Sequence, residues 1–363
     1  MRGFMDKDFI ETVEGLIFCV VGNVHPPAKA IAYLKYIPKY ASGVRIKWSR
    51  SGVFYGRILP YYSAEGVFKV MQFMEEHYPD YIVHDDVLGF KLIEVPQDKV
   101  KMHYKPEERL AEIIKSPNDP LEEQVAELIS IISEKSGVPS HSMGISGSIL
   151  LKLHNLKFSD IDIIVYGRDE SLKVKEALLE LYADPRSDLK MPSGETLERW
   201  AKDITKIHPL TFEEAKILYG KEKWSRALYK GRQFSVHPVK KPEEVEEEYG
   251  DKIYRGMGLV KAIVKVIDNS DSIFLPAKYI VDDVRIIEGP AVKDIVEVVS
   301  YEGLYSDLAE SGEELVVHGK LEHVKDLKNG KEYHRIVVGS FEAKGRDYIK
   351  PLRWREIAIM TRT

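Results

Sequence analysis

The run "SDIDIIVYG", residues 159 to 167, narrows the choices for this chain more than any other stretch. Ile161, Ile163 and Val165 alternate within a β-branched segment, the pattern of a strand bound for a core. Residues i and i+2 of a strand share a face, so Asp160 and Asp162 present two carboxylates to one side. Two like charges this close raise each other's pKa and oppose folding unless a cation sits between them. A hard divalent ion resolves the conflict. Mg2+ is typically held by one or two carboxylates together with substrate phosphates.

Upstream, "MGISGSILLKLHN" sets Gly147 and Ser148 before a short apolar helical pattern. Backbone N–H groups at the positive end of that helix, with the Ser148 hydroxyl facing outward, form a seat for phosphate oxygens. Lys152, one turn on, is either a phosphate contact or a solvated helix lysine. The plainer alternative makes Ser148 a helix cap and the two aspartates acids on the surface of an edge strand. The two halves in this order and spacing favour the site.

Taken together, Ser146-Gly147-Ser148 and the strand from Ser159 to Val165 resemble the signature of the nucleotidyltransferase superfamily, the fold shared by DNA polymerase beta and CCA-adding enzymes. Ser146 stands where that pattern usually has an apolar residue. The resemblance covers the middle of the chain; the flanking segments resemble archaeal predicted nucleotidyltransferases of unassigned role. It implies a mixed-sheet core that moves a nucleotidyl group from an NTP to a hydroxyl, with RNA as one acceptor. It also implies that Asp160 and Asp162 hold Mg2+ or Mn2+, and that Gly147 and Ser148 hold the β and γ phosphates. Members of the superfamily usually add a third carboxylate from a later strand. The best candidate strand here is "GRQFSVHPV", where Phe234 and Val236 face the core and Ser235 and His237 face the site. His237 can serve as base or ligand, and imidazole suits Mn2+ better than Mg2+. Otherwise Asp203 or Glu195 supplies the acid, or the protein binds nucleotide or RNA without turning it over. Arg226, Lys230 and Arg232 precede this strand and are candidates for nucleotide or acceptor contacts.

At 363 residues the chain exceeds one ordinary domain. Turn punctuation and pattern changes divide it into three: an α+β domain over 1–115, the nucleotidyltransferase core over 120–245, and an all-β domain over 250–363. In the last, Asn329-Gly330 lies between two strand-length runs and marks a hairpin. A small OB-like barrel is the expected outcome. His318, His323 and His334 flank that hairpin; a metal site among them is the minor alternative.

The net charge is −5, so the whole molecule is no general polyanion binder. Between Gly15 and Ala64, however, no acid occurs. Lys29, Lys35, Lys39, Arg45, Lys47, Arg50 and Arg57 are interleaved there with aromatics such as Tyr33, Tyr36, Tyr40, Trp48, Phe54, Tyr55, Tyr61 and Tyr62. Such a stretch either contacts nucleic acid, by phosphate pairing and base stacking, or divides into core aromatics and solvated bases. Cys19 is the lone cysteine, which excludes an internal disulfide framework and fits a cytoplasmic protein. No run is long and apolar enough to predict a membrane span. Four Gln and five Asn beside abundant Lys and Glu resemble thermophile composition.

Overall fold

A computed structural model describes residues 2–38, 45–50, 52–57 and 64–354, without the side chains of 45–47, 64 and 65. Lys39, Tyr40, Tyr61 and Tyr62 lie outside the described residues, as do the side chains of Arg45 and Lys47. In chain order, strands β1 (Phe9–Thr12), β2 (Ile17–Val20), β3 (Lys29–Pro38), β4 (Arg45–Arg50) and β5 (Val53–Arg57) come first. Helix α1 (Ala64–His77) and strands β6 (Ile82–Asp85), β7 (Phe90–Pro96) and β8 (Val100–Tyr104) follow. Next are α2 (Pro106–Lys115), α3 (Pro120–Ser136), β9 (Met143–Ile145), α4 (Gly147–Leu150), β10 (Ile161–Tyr166), α5 (Arg168–Ala183) and β11 (Leu189–Lys190). Helices α6 (Gly194–Ile204) and α7 (Phe212–Ile217) lead to β12 (Arg226–Tyr229) and β13 (Arg232–Val239). The remainder is built on β14 (Lys252–Asp268), β15 (Ala277–Glu288), β16 (Ile295–Ser300), β17 (Glu314–Asp326), β18 (Lys331–Val338) and β19 (Tyr348–Pro351).

The fold is α+β, with three sheets among the described residues. Two compact units emerge. One comprises Met1–Pro60, Glu94–Pro192 and Trp224–Glu246; the other comprises Tyr61–Ile93, Ser193–Lys223 and Glu247–Thr363.

The first unit carries the aspartate pair. Its five-stranded sheet runs β11-β12-β13-β10-β9, with β10 and β13 parallel and the other neighbours antiparallel. A parallel neighbour requires a long crossover, here including α5. Helix α3 starts by rule: Pro120 occupies its first turn, the Asp119 carboxylate accepts from Leu121 N and Glu122 N, and Gly137 ends it at φ 69°. In β3 the burial alternates, with Ala30, Ala32, Leu34 and Tyr36 inward. Tyr36 joins Phe9, Ile17, Cys19 and Tyr55 in an apolar cluster with Leu150, Leu151 and Leu153. The segment following Gly147 is thereby clamped under the N-terminal strands.

In the second unit, β14 pairs with β15 on one side and with β17 on the other, so the third sheet curls on itself. Val260, Val264, Leu315, Val317, Ile336 and Val338 fill its inside. Asn329-Gly330 does turn the β17–β18 hairpin: Gly330 has φ 64°, and Asp326 accepts from Asn329 N and Nδ2.

Candidate functional site

Strand β9 pairs antiparallel with β10, Ile145 opposite Ile163, and Ser146 N donates to Asp162 O at 2.8 Å. The chain then turns at Gly147 with φ +64°. A Cβ at Gly147 would lie 2.2 Å from Asp162 Oδ2, so the turn and the carboxylate occupy adjoining space that no side chain can share. Ser148 is buried, and its hydroxyl donates to Ser159 Oγ at 3.2 Å. That hydroxyl is turned inward, so what Ser148 offers a ligand is its backbone.

Asp160 immediately precedes β10 and Asp162 lies within it, while Ile161 and Ile163 between and beyond them are fully buried. The parallel register sets Ser235 beside Asp162 and His237 beside Ile164. Phe234 and Val236 are buried, leaving Ser235 and His237 on the aspartate side. The Ser235 hydroxyl donates to Asp162 Oδ1 at 2.7 Å and lies 2.9 Å from His237 Nε2, itself 3.7 Å from that carboxylate oxygen. Gln233 Nε2 donates to Asp160 Oδ2 at 3.3 Å, and Arg226 donates to the Gln233 amide oxygen at 3.1 Å. Arg232 donates to the Leu156 and Ser159 carbonyls and so fixes the loop entering Asp160.

The charge of Asp162, and then burial, push Asp160 up to about 6. Burial opposes ionisation of Asp162, but His237, Ser235 and Lys35 hold it below the usual carboxylate range. The charge of Asp162 thus makes Asp160 the carboxyl that holds its proton longer, as expected when two acids lie close without a cation between them. Lys35 is driven down to about 8 by burial and by Arg57.

A Methanocaldococcus jannaschii protein named "Uncharacterized protein MJ1086" is 36% identical over 346 residues, 95% of this chain and 98% of that one. The chain belongs to the MJ1086 family. No family model and no solved structure matches it.

In this MJ1086-family chain most of the other candidates make contacts of their own. Lys152 pairs with Glu112 at 3.0 Å, and Lys230 with Glu127 at 2.7 Å. Asp203 pairs with Lys206 on the exposed face of α6, which also carries Glu195. His318 and His334 contact the carbonyls of Arg346 and Lys293, and His323 lies 3.2 Å from Glu332. Within the basic stretch, Lys29 pairs with Glu94, and Arg50 is bound by Glu11 and Tyr104. Arg57 stacks on Tyr36 and Trp48, 4.6 and 4.4 Å from the ring centres. Among its described residues, then, several bases of this stretch brace the fold.

A second cluster escaped the sequence reading. Asp119, Glu122 and His154 bring ligand atoms within 4.8 Å of one another, close enough to hold a cation. Yet the protein already serves every oxygen. Asp119 Oδ1 takes two backbone amides and Oδ2 takes His154 Nε2 at 2.7 Å. Glu122 Oε1 takes Arg109, and Oε2 takes Asn118 N and Nδ2 at 2.9 Å. Arg109 also donates to Ile149 O, tying α2 and α3 to α4. No motif announces this cluster, because its members come together only when α3 and the segment after α4 are packed.

Proposed function

We propose that the protein moves a nucleotidyl group from a nucleoside triphosphate to a hydroxyl acceptor, using a divalent ion held by Asp160 and Asp162. The observation that carries this reading is a close carboxylate pair at β10, with Asp162 against a glycine turn that has no room for a Cβ. The donors fit a hard ion: two carboxylates and a serine hydroxyl. Such an ion supplies Lewis-acid polarisation of the α-phosphoryl group and offsets charge on the leaving pyrophosphate.

The chain's own groups do the rest. Ser235 ties down Asp162 Oδ1 and leaves Oδ2 towards the turn. Gln233, oriented by Arg226, fixes Asp160. His237, whose Nε2–H donates to the Ser235 oxygen while that hydroxyl is given to Asp162, stands on the face where a third acid is expected, and its other ring nitrogen can take the proton of an attacking hydroxyl. The five-stranded mixed sheet supports a nucleotidyltransferase-like core. Pairing of β14 with β15 and β17, and of β16 in parallel with β18, supports an OB-like barrel in the other unit. OB barrels commonly bind oligonucleotides, which favours RNA as acceptor.

A second reading, a nucleotide- or RNA-binding protein without turnover, is favoured by one observation: β13 turns Ser235 and His237, not an acid, towards the pair. A pyrophosphate-release assay with four NTPs, mixed RNA and either Mg2+ or Mn2+ separates the two. Turnover that vanishes in Asp162→Asn and falls in His237→Ala supports transfer. Bound nucleotide with no turnover under any condition supports the binder.

A further inference from the structure

We propose that the tip Leu156-Lys157-Phe158, at the entrance to Asp160, holds the unpaired end of an RNA acceptor, with Phe158 stacked on a base and Lys157 against a phosphate. This rests on the nucleotidyl-transfer reading. Phe158 stands two residues before Asp160, so the chain itself puts it beside the candidate metal ligands. Phe158 is 54% exposed and Leu156 47%, on the turn from Asn155 to Ser159. One exposed apolar side chain is ordinary. What sets this turn apart is how firmly its backbone is held beneath two of them. Ser159 Oγ accepts from Asn155 N at 2.9 Å and from the Ser148 hydroxyl at 3.2 Å. Asn155 Oδ1 accepts from Lys157 N at 2.9 Å, and Asn155 O accepts from Phe158 N and Ser159 N at 3.3 and 3.0 Å. Arg232 donates to Ser159 O and Leu156 O from two guanidinium nitrogens, and from the third to Gln124 of α3. These bonds fix the backbone and leave two apolar side chains outside, with the exposed Lys157 between them.

The strand order β13-β10-β9 separates the two sides of the reaction. The glycine turn leaves from β9, on one flank of β10, and in this reading it seats the leaving pyrophosphate. Arg232 begins β13, on the other flank, and its hold on Leu156 O draws the tip that way. In-line displacement sets the attacking hydroxyl opposite the leaving oxygen, so the acceptor comes from the side of the tip. A small molecule needs a concavity that covers most of its surface. An aromatic ring open on half its area gives no such cover. It suits a ligand tethered at several points, as a strand is. Unpaired RNA ends splay their bases onto aromatic side chains, and an adjacent Lys suits the phosphate beside the base.

The test follows a short labelled single-stranded RNA by fluorescence anisotropy as the full chain is added with Mn2+. Affinity for a non-hydrolysable α,β-methylene ATP analogue is measured separately. Phe158→Ala should weaken RNA binding about tenfold, since a base–aromatic stack is lost, and leave the analogue's affinity unchanged. Phe158→Tyr should restore RNA binding. Lys157→Ala should weaken RNA and flatten its salt dependence by roughly one phosphate contact. A 5-iodouridine at the 3′ end of the RNA should crosslink to Phe158 under ultraviolet light, and one placed mid-strand should not. Equal RNA affinity for wild type and Phe158→Ala would overturn the inference. So would a parallel loss of the analogue, which would make Phe158 a contact of the incoming nucleotide. DNA of the same sequence bound as tightly as RNA would overturn RNA as the strand. All three leave nucleotidyl transfer standing. A wild type that binds no analogue with Mn2+ would instead sink the transfer reading, and this inference with it.

Discussion

Two carboxylate clusters lie in the same unit and differ in one respect. Asp119 and Glu122 have every oxygen met by a donor from the protein, including the Arg109 guanidinium and His154. Asp162 is met by the Ser235 hydroxyl, with His237 at 3.7 Å and Lys35 lowering it further, whereas Asp160 is met by the Gln233 amide and answers by holding its proton up to about 6. The first cluster is a brace. The second is an arrangement whose compensation is left unfinished by the chain. Proximity of acids is therefore a poor sign of a site; incomplete compensation is a better one.

The largest effect expected from this contrast is on the brace. Arg109→Met leaves the buried Glu122 carboxylate with Asn118 but without its cation, and a broken buried ion pair typically costs about 3–5 kcal/mol. Denaturant unfolding measures it; a loss below ~1 kcal/mol would break the comparison, since removing one partner should then have mattered.

Next comes Gly147→Ala. An L-residue at φ +64° should lose about 1–2 kcal/mol, and its Cβ must displace Asp162 Oδ2. The thermal shift given by Mn2+ to wild type should disappear. A retained shift would mean that the carboxylate and the turn do not cooperate in holding an ion.

Asp160→Asn should act with the opposite sign, stabilising the metal-free fold by about 1–2 kcal/mol while removing its response to Mn2+. The sign follows from the raised pKa. The folded state holds the Asp160 proton more tightly than the unfolded chain does, so wild type loses stability as pH rises from the usual 3.8 to about 6. The variant has no such loss. The gap in melting temperature should open across that window and stay open above it. Parallel profiles for the two proteins would remove the repulsion from the account.

Smallest is Asp119→Ala, which deletes an N-cap at a cost of about 1 kcal/mol. Its Mn2+ affinity should match wild type. A loss of metal binding there would sharpen the comparison in the other direction and make the brace a second metal site.

Much of the candidate site could be read from short-range pattern. Alternation alone places Asp160 and Asp162 on one side of a strand whose isoleucines are buried, and puts Ser235 and His237 opposite Phe234 and Val236. Gly147 was readable as the turn into a short helix, but its close approach to Asp162 was not. Side-chain direction was less accessible. The outward hydroxyl expected of Ser148 is turned to Ser159, and Lys152 is drawn to Glu112, because neighbours distant in sequence supply those partners.

By itself the sequence determined periodicity: which strands exist, which residues share a face, where helices are capped and where only glycine serves. Those properties depend on neighbours a few residues apart. Tertiary structure decided the rest, because the deciding contacts span long stretches of chain. It brought Lys7 to Ser146, set Gln233 and Arg226 behind Asp160, and paired β14 with both β15 and β17. It also separated the two acid clusters into a brace and a site, a distinction made by which cations the packing delivers to each. Charge compensation is a sum over everything that folding brings near, and no local pattern contains that sum.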